Sequence, residues 1–236
     1  MAEPSFGKYV LSYGRAFTAT TQELVPDAVW VVRKSQEADY RAAGHQNILA
    51  VDDDEIGGLC EVNNWIINNA PEDIICVMDD DLKHFFYRMY DTDEITDIDT
   101  IAAEMERIAQ IMIDLDIGFA ATDPTTTPWN YTSEFEFKGI PGAVRWINRR
   151  VYKATFRKEY VWNCDIDVVL QELLANRIIL KPKYFCSKGC TDTNEGGASS
   201  KKRGDQVACI HNLMTVWGKY FTYDFRKNKP QIRVER

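Results

Sequence analysis

Four short apolar runs in the first third of the chain constrain its fold more than any other feature. They are KYVLS at 8–12, AVWVVR at 28–33, NILAV at 47–51 and DIICVM at 73–78. Each has strand length, and the longer ones are continuously apolar rather than alternating, as in strands buried on both faces. Between the third and fourth, Leu59, Val62, Ile66 and Ala70 fall on one helical stripe, which Pro71 stops. Strands of this kind, joined by helical or loop segments, make a mostly parallel α/β sheet with covered faces.

In such sheets ligands bind beyond the carboxyl ends of the strands. The fourth run ends there in three consecutive carboxylates, Asp79-Asp80-Asp81. Like charges this close repel and raise one another's pKa values, so a positive partner is expected. Ser12-Tyr13-Gly14-Arg15 and Arg33-Lys34 end two other strands and would share the cleft. Carboxylate oxygens suit Mg²⁺ or Mn²⁺, whose remaining ligands usually come from phosphate and water. A metal at this place therefore implies a diphosphate. Read alone, the triplet is equally a solvated acidic turn.

Further along, 98–115 is an amphipathic helix that Asp97 or Asp99 can cap. GFAATD at 118–123 reads as a strand, and PTTTPWNYTS as a loop that leaves Trp129 exposed. The stretch 135–152 alternates and turns through Gly139-Ile140-Pro141-Gly142, as antiparallel strands do. A helix over 165–177, a strand over 178–186 and a last helix over 206–221 precede a basic tail.

Charge is divided along the chain. Residues 1–137 carry 8 Lys and Arg against 27 Asp and Glu, a net of −19, whereas residues 138–236 carry 20 against 9, a net of +11. One half could hold a cation and the other a polyanion. The basic half interleaves Arg145, Arg149, Arg150, Lys153, Arg157 and Lys158 with Trp146, Tyr152, Phe156, Tyr160 and Trp162, a mixture that suits nucleic acid. Alternating aromatics also occur in ordinary strands.

The six cysteines are scattered and read as reduced thiols in a cytoplasm. No apolar run has bilayer length, and the opening MAEPSFGKYVLSYG is not expected to act as a signal peptide. Cys186, Cys190, Cys209 and His211 form C-x3-C and C-x-H, a set that could hold zinc although the spacing is not a standard signature.

The ordered set SYGRA, VVRK, IGGLCEVNNWIINNA and VMDDDL resembles the nucleotide-sugar half of GT-A fold glycosyltransferases, especially the family 2-like branch. The resemblance implies an α/β fold: a single GT-A type domain with a Rossmann-like, mostly parallel central sheet flanked by helices and a smaller antiparallel acceptor-side sheet. Residues 1–123 would bind the nucleotide-sugar and 124–236 the acceptor. It implies contacts to the donor from Ser12, Tyr13, Gly14, Arg15, Arg33, Asn64, Asp79 and Asp80. Asn63 stands where the family has Arg in an Arg-Asn pair. Asp79 and Asp81 hold the two positions of the DxD motif, and His211 is the late histidine that would complete the metal site. WNCDIDVVLQELLANRIIL resembles the segment carrying the general base of inverting members. There Asp165 matches the base, with Asp167 as second candidate, because the acceptor hydroxyl must lose a proton as it attacks. The loop containing Gly197, Ser199, Lys201, Lys202 and Arg203 would close over the diphosphate or grip the acceptor backbone.

SYGRA, VMDDDL and CDID followed by a Gly-Gly basic loop also resemble a narrower group, the phage glycosyltransferases associated with TET/JBP-type oxygenases and related to the base J glucosyltransferase. That resemblance implies transfer of a sugar from a UDP-sugar, with Mn²⁺ or Mg²⁺, to a 5-hydroxymethylated pyrimidine in DNA, 5-hydroxymethylcytosine first, in a host cytoplasm and without a membrane partner. The target base would have to leave the stack. A saccharide, lipid or protein acceptor, or a non-catalytic nucleic-acid-binding module, are the other readings.

Overall fold

The structure, a computed structural model, describes residues 4–189 and 203–235. Its centre is a six-stranded sheet in the order β3-β2-β1-β4-β9-β7, built from β1 (Phe6–Leu11), β2 (Val29–Arg33), β3 (Ile48–Val51), β4 (Ile74–Asp79), β7 (Phe119–Ala121) and β9 (Val144–Asn148). The four strands β1 to β4 pair in parallel, and β9 runs antiparallel to both its neighbours, so β7 points the same way as β4. All four apolar runs expected as strands are strands of this sheet, and the α/β class holds.

The continuous apolar character of β4 has a direct cause. Ile74, Cys76 and Met78 face one side, where helix α4 (Ile98–Asp114) brings Ile101, Met105, Ile108 and Met112. Ile75 and Val77 face the other, against α3 (Leu59–Asn69) and α5 (Cys164–Ala175). A strand covered on both faces has no position to spend on a polar side chain. Asp97 caps α4, its carboxylate accepting from the Thr100 N–H at 2.9 Å.

Two short helices, α1 (Thr21–Leu24) and α2 (Glu37–Ala42), follow β1 and β2. A second, antiparallel sheet orders β11 (Phe185–Gly189), β5 (Leu82–Arg88) and β6 (Thr92–Ile95). The sequence analysis assigned nothing to 82–95. The buried positions of β5 are Leu82, Phe85 and Arg88, a spacing that is not the alternation of an amphipathic strand. The stretch 135–152 does not form one hairpin. Its first part, β8 (Phe135–Glu136), pairs with β10 (Lys181–Pro182), whereas β9 inserts into the central sheet. The strand expected over 178–186 is accordingly split into β10 and β11. Helix α6 (Arg203–Trp217) leads into a hairpin, β12 (Phe221–Asp224) with β13 (Lys229–Ile232), where only a basic tail was expected.

Candidate active site

β4 ends at Asp79 and β5 begins at Leu82, so Asp80 and Asp81 alone link these two strands. The backbone of this link is pinned by the start of α1. The Thr20 and Thr21 N–H groups donate to the Asp80 carbonyl at 2.9 and 3.2 Å, and the Thr21 hydroxyl donates to the Asp79 carbonyl at 2.7 Å. The Leu82 N–H returns a bond to the same hydroxyl at 3.0 Å. Nothing in the sequence reading pointed to Thr20 or Thr21, because their task is set by the turn they hold.

The expected positive partners are present, and they are arginines. Arg15 places Nη1 2.9 Å from Asp80 and 3.1 Å from Asp81. Ser12 donates its hydroxyl to Asp80 and shares a 2.5 Å contact with the Tyr40 hydroxyl. Burial raises the Asp80 pKa, and the Ser12 hydrogen bond and Arg15 only partly oppose it. From β9, Arg145 donates from Nη2 to Asp79 at 2.8 Å. Arg145 is itself buried and stays protonated, since Asp79 and Asp165 outweigh its desolvation. Its Nε has no hydrogen-bond partner. Tyr13 lies under the Arg33 guanidinium, 4.1 Å from ring centre to Cζ, and Arg33 donates to the Gly57 carbonyl at 2.5 Å. Gly14 takes a positive φ of 68° at this turn, and its N–H donates to Gln36 at 3.2 Å. The ends of β1, β2 and β4 thus meet in one cleft.

Asp165 and Asp167 part company although they share one helical turn. The Asp165 carboxyl is raised above the usual carboxylate range by burial, with Arg145 pulling it down and Asp79 pushing it up. It therefore belongs to the Asp79–Arg145 group. Asp167 is fully buried with both oxygens engaged. Arg157 meets it bidentately at 2.8 and 2.5 Å, and Gln171 and the Trp217 indole N–H each donate at 2.8 Å. A carboxylate held this way ties α5 to α6 and has no lone pair left for an acceptor proton, which corrects its place as second candidate base.

Two other expected site residues, Asn64 and His211, and Asn63 beside the first, are committed to other contacts. Asn64 spends its amide on the 155–156 backbone, donating to the Phe156 carbonyl at 2.8 Å and accepting from the Phe156 N–H at 3.0 Å. Asn63 donates to the Leu59 carbonyl at 2.8 Å within α3. His211 stacks on Phe225 of the C-terminal hairpin, ring centres 5.1 Å apart. Among the described residues no three His, Cys, Asp or Glu side chains group to hold a metal. Asp79, Asp81 and His211 are thus not grouped in the structure, and the zinc set includes Cys190, which lies outside the described residues. Cys186 is buried on β11 with its thiol toward the Lys183 carbonyl, and Cys209 is buried with Tyr160, Ile166 and Leu213. Cys190, Gly197, Ser199, Lys201 and Lys202 lie outside the described residues, and Arg203 opens α6.

Asp79 and Asp81 still offer hard oxygen donors at the mouth of the cleft, a set that suits Mg²⁺ or Mn²⁺ held by two carboxylates and substrate phosphate. The Asp79 side chain is 38% exposed and that of Asp81 16%. Asp81 also lies against β11: a Cβ on Gly189 would come 3.0 Å from its Oδ1. A cavity of about 350 Å³ lined by Glu159, Trp162, Asp205, Cys209 and Asn212 sits along α6 and includes none of the cleft carboxylates.

The basic run of the second half is largely consumed inside the molecule. Arg149 donates to the carbonyls of Ile67, Asn68, Ala70 and Glu72, closing the end of α3. Arg150 meets Asp73 bidentately at 2.9 and 2.8 Å, and Lys158 meets Glu61 at 2.7 Å. With Arg145 on Asp79 and Arg157 on Asp167, five of the six cations read as a nucleic-acid surface have internal partners, four of which lie on the acidic half or its carbonyls.

A mostly parallel sheet of order 3-2-1-4 extended by an antiparallel strand, with an acidic link beyond the fourth parallel strand, defines the GT-A type of α/β fold. Solved structures with this architecture match nearly the whole chain. Glucosyl-3-phosphoglycerate synthase from Mycobacterium tuberculosis, in complex with Mn²⁺, UDP-glucose and phosphoglyceric acid, aligns with a TM-score of 0.56 at 9% identity over 99% of this chain and 88% of its own. The same enzyme with Mn²⁺, UDP and glucosyl-3-phosphoglycerate gives 0.51 at 8% identity, over 98% of this chain and 88% of its own. A mycobacterial protein gives 0.54 at 9%, over 97% and 82%. No protein-family model matches the chain, and no curated protein matches it in sequence. No helix among the described residues is long and apolar enough to cross a membrane.

Proposed function

We propose that the protein is a glycosyltransferase that moves a sugar from a UDP-sugar to an acceptor hydroxyl with inversion at the anomeric carbon. Residues 1–123 form the donor side and 124–236 the acceptor side. The observation that carries the reading is the carboxylate cluster at the carboxyl edge of a GT-A sheet, where Asp79 pairs with the buried Arg145, Asp80 and Asp81 pair with Arg15, and Asp165 acts electrostatically on Arg145. Two structural neighbours support it, one a complex with Mn²⁺ and UDP-glucose and the other with Mn²⁺ and UDP.

In this reading Asp165 accepts the proton of the acceptor hydroxyl. The acceptor oxygen forms its bond to the anomeric carbon, the bond from that carbon to the β-phosphate oxygen breaks, and its electron pair leaves with UDP. Burial suits Asp165 to this work by making its carboxylate more basic than an exposed one. Arg145 holds Asp79 in place and opposes the burial that raises the Asp165 carboxyl. Asp79 and Asp81 would hold a divalent ion, which when bound supplies positive charge to the departing diphosphate. Tyr13 and Arg33 offer a stacked pair for the nucleoside.

The resemblance in SYGRA, VMDDDL and CDID supports 5-hydroxymethylated DNA as acceptor, whereas five of the six cations of the 145–158 run already have partners within the chain. One experiment separates the acceptors. The protein is incubated with Mn²⁺, a panel of UDP-sugars and DNA containing cytosine or 5-hydroxymethylcytosine, followed by mass spectrometry of the nucleosides. Added hexose or pentose mass on the modified base alone establishes the DNA acceptor. UDP release without it keeps the transferase and removes DNA. Absence of both UDP binding and UDP release from every donor tested would overturn the transferase reading.

A further inference from the structure

A second buried cluster lies at the same edge of the sheet. Arg145 pairs with Val77 on β4 and with Ala121 on β7, so these three residues form one row across the strands. Asp79 on β4 and Asp123 just past β7 each lie two residues beyond that row, toward the same carboxyl edge. Strands sit about 4.8 Å apart, which separates the two aspartates by about 10 Å.

Asp123 is surrounded by cations. Arg88 meets it at 2.9 Å, Lys183 at 3.2 Å and Lys181 at 3.6 Å. Lys181 and Lys183 are alternate residues and face the same way. They also share Glu136, at 3.6 and 3.4 Å. Three cations therefore meet two carboxylates. The side chains of Arg88, Lys181, Lys183 and Asp123 are between 0 and 8% exposed, and Glu136, at 36%, is the open wall of the chamber. Gly139 forms part of the cover: its φ is +124°, and a Cβ there would come 3.1 Å from the Lys181 ammonium. An unmatched positive charge in such a place is costly, and the cost is removed by an anion.

We propose that this cluster is the subsite for an anionic oxygen group, phosphate or carboxylate, on a small acceptor whose hydroxyl is presented to the β4 cluster at the same edge of the sheet. The proposal rests on the transferase reading and names its acceptor class. Burial lowers the Lys181 pKa despite both carboxylates, the direction expected where positive charge is incompletely matched.

The test uses the full chain with UDP and Mn²⁺ saturating, so that the donor site is filled, and titrates inorganic phosphate or acetate at constant ionic strength. Binding is read by calorimetry. Wild type should bind one of the two anions, which identifies the group. Lys183→Gln should weaken that binding about tenfold or more, the loss of a charge-assisted hydrogen bond, with UDP affinity unchanged. Glu136→Gln, at the exposed wall, should tighten it several-fold by removing a competing carboxylate. If Lys183→Gln does not fold, the Glu136→Gln comparison decides. No anion binding to wild type, or equal binding by wild type and Glu136→Gln, overturns the subsite. Absence of UDP binding in wild type is a separate result that overturns the transferase reading instead.

Discussion

Two clusters of charge stand at one edge of the central sheet and are unbalanced in opposite directions. At the end of β4, four carboxylates, Asp79, Asp80, Asp81 and Asp165, group with two guanidiniums, Arg15 and Arg145. Beyond the end of β7, two carboxylates, Asp123 and Glu136, meet three cations, Arg88, Lys181 and Lys183. The first arrangement has capacity for a cation and the second for an anion. Their pKa directions agree with that division: Asp80 and Asp165 are raised, whereas Asp123 is held low because its cations overcome the burial that would raise it. The difference teaches that the two halves of the charge split meet in space: pairs such as Arg145 with Asp79, Arg150 with Asp73 and Lys158 with Glu61 cross between them, and each of the two clusters at the sheet edge draws on both halves.

The largest expected effect separates the two aspartates of α5. Asp165→Asn should lower turnover by about 10²–10⁴-fold while UDP binding persists, measured by UDP release and by calorimetry. Asp167→Asn should leave the turnover of folded protein near wild type and cost about 3–5 kcal/mol in urea unfolding, because Arg157 and Trp217 lose a buried charge partner. A reversal of these two phenotypes would move the base to Asp167. Arg88→Met should cost about as much stability, since it strips the fully buried partner from Asp123 while leaving the β4 cluster intact.

Asp81→Asn should weaken Mn²⁺-dependent UDP binding about tenfold or more and leave metal-free UDP binding and the unfolding midpoint unchanged. An equal loss with and without metal would show that Asp81 serves Arg15 alone. The smallest effects come from pH. A carboxyl held low in the folded state contributes stability above its unfolded pKa, near 3.9, and that contribution fades as pH falls through the folded value. Asp123 should therefore add an acid-side loss of stability below about pH 4, absent in Asp123→Asn. Asp165, raised in the folded state, should set an acidic limb of kcat/KM above the ordinary aspartate range. A limb at the ordinary value would argue against Asp165 as base.

The elements legible in the sequence were those with a single physical cause. Continuous apolar runs marked β1 to β4, and a 3.6-residue stripe with an Asp cap marked α4. The carboxylates at 79–81, with Ser12 and Arg15, were legible as a site because charge at a strand end needs a partner. Residues whose roles depend on a distant neighbour were not legible. Arg145 looked like one cation in a basic run until β9 set it between β4 and β7. Asn64 looked like a donor contact, yet its amide is committed to a backbone segment more than 90 residues away. His211 was chosen only as a late histidine, and α6 turned it toward Phe225.

By itself the sequence determined that this chain forms an α/β sheet with an acidic cleft beyond β4, because strand burial and local charge repulsion act over a few residues. Which carboxylate is committed to structure, which cations stay inside the protein, and how Asp123 gathers Arg88, Lys181 and Lys183 were decided by the tertiary structure alone. Ion pairing depends on distances of 3 to 4 Å between residues tens of positions apart, and only the packed sheet sets those distances.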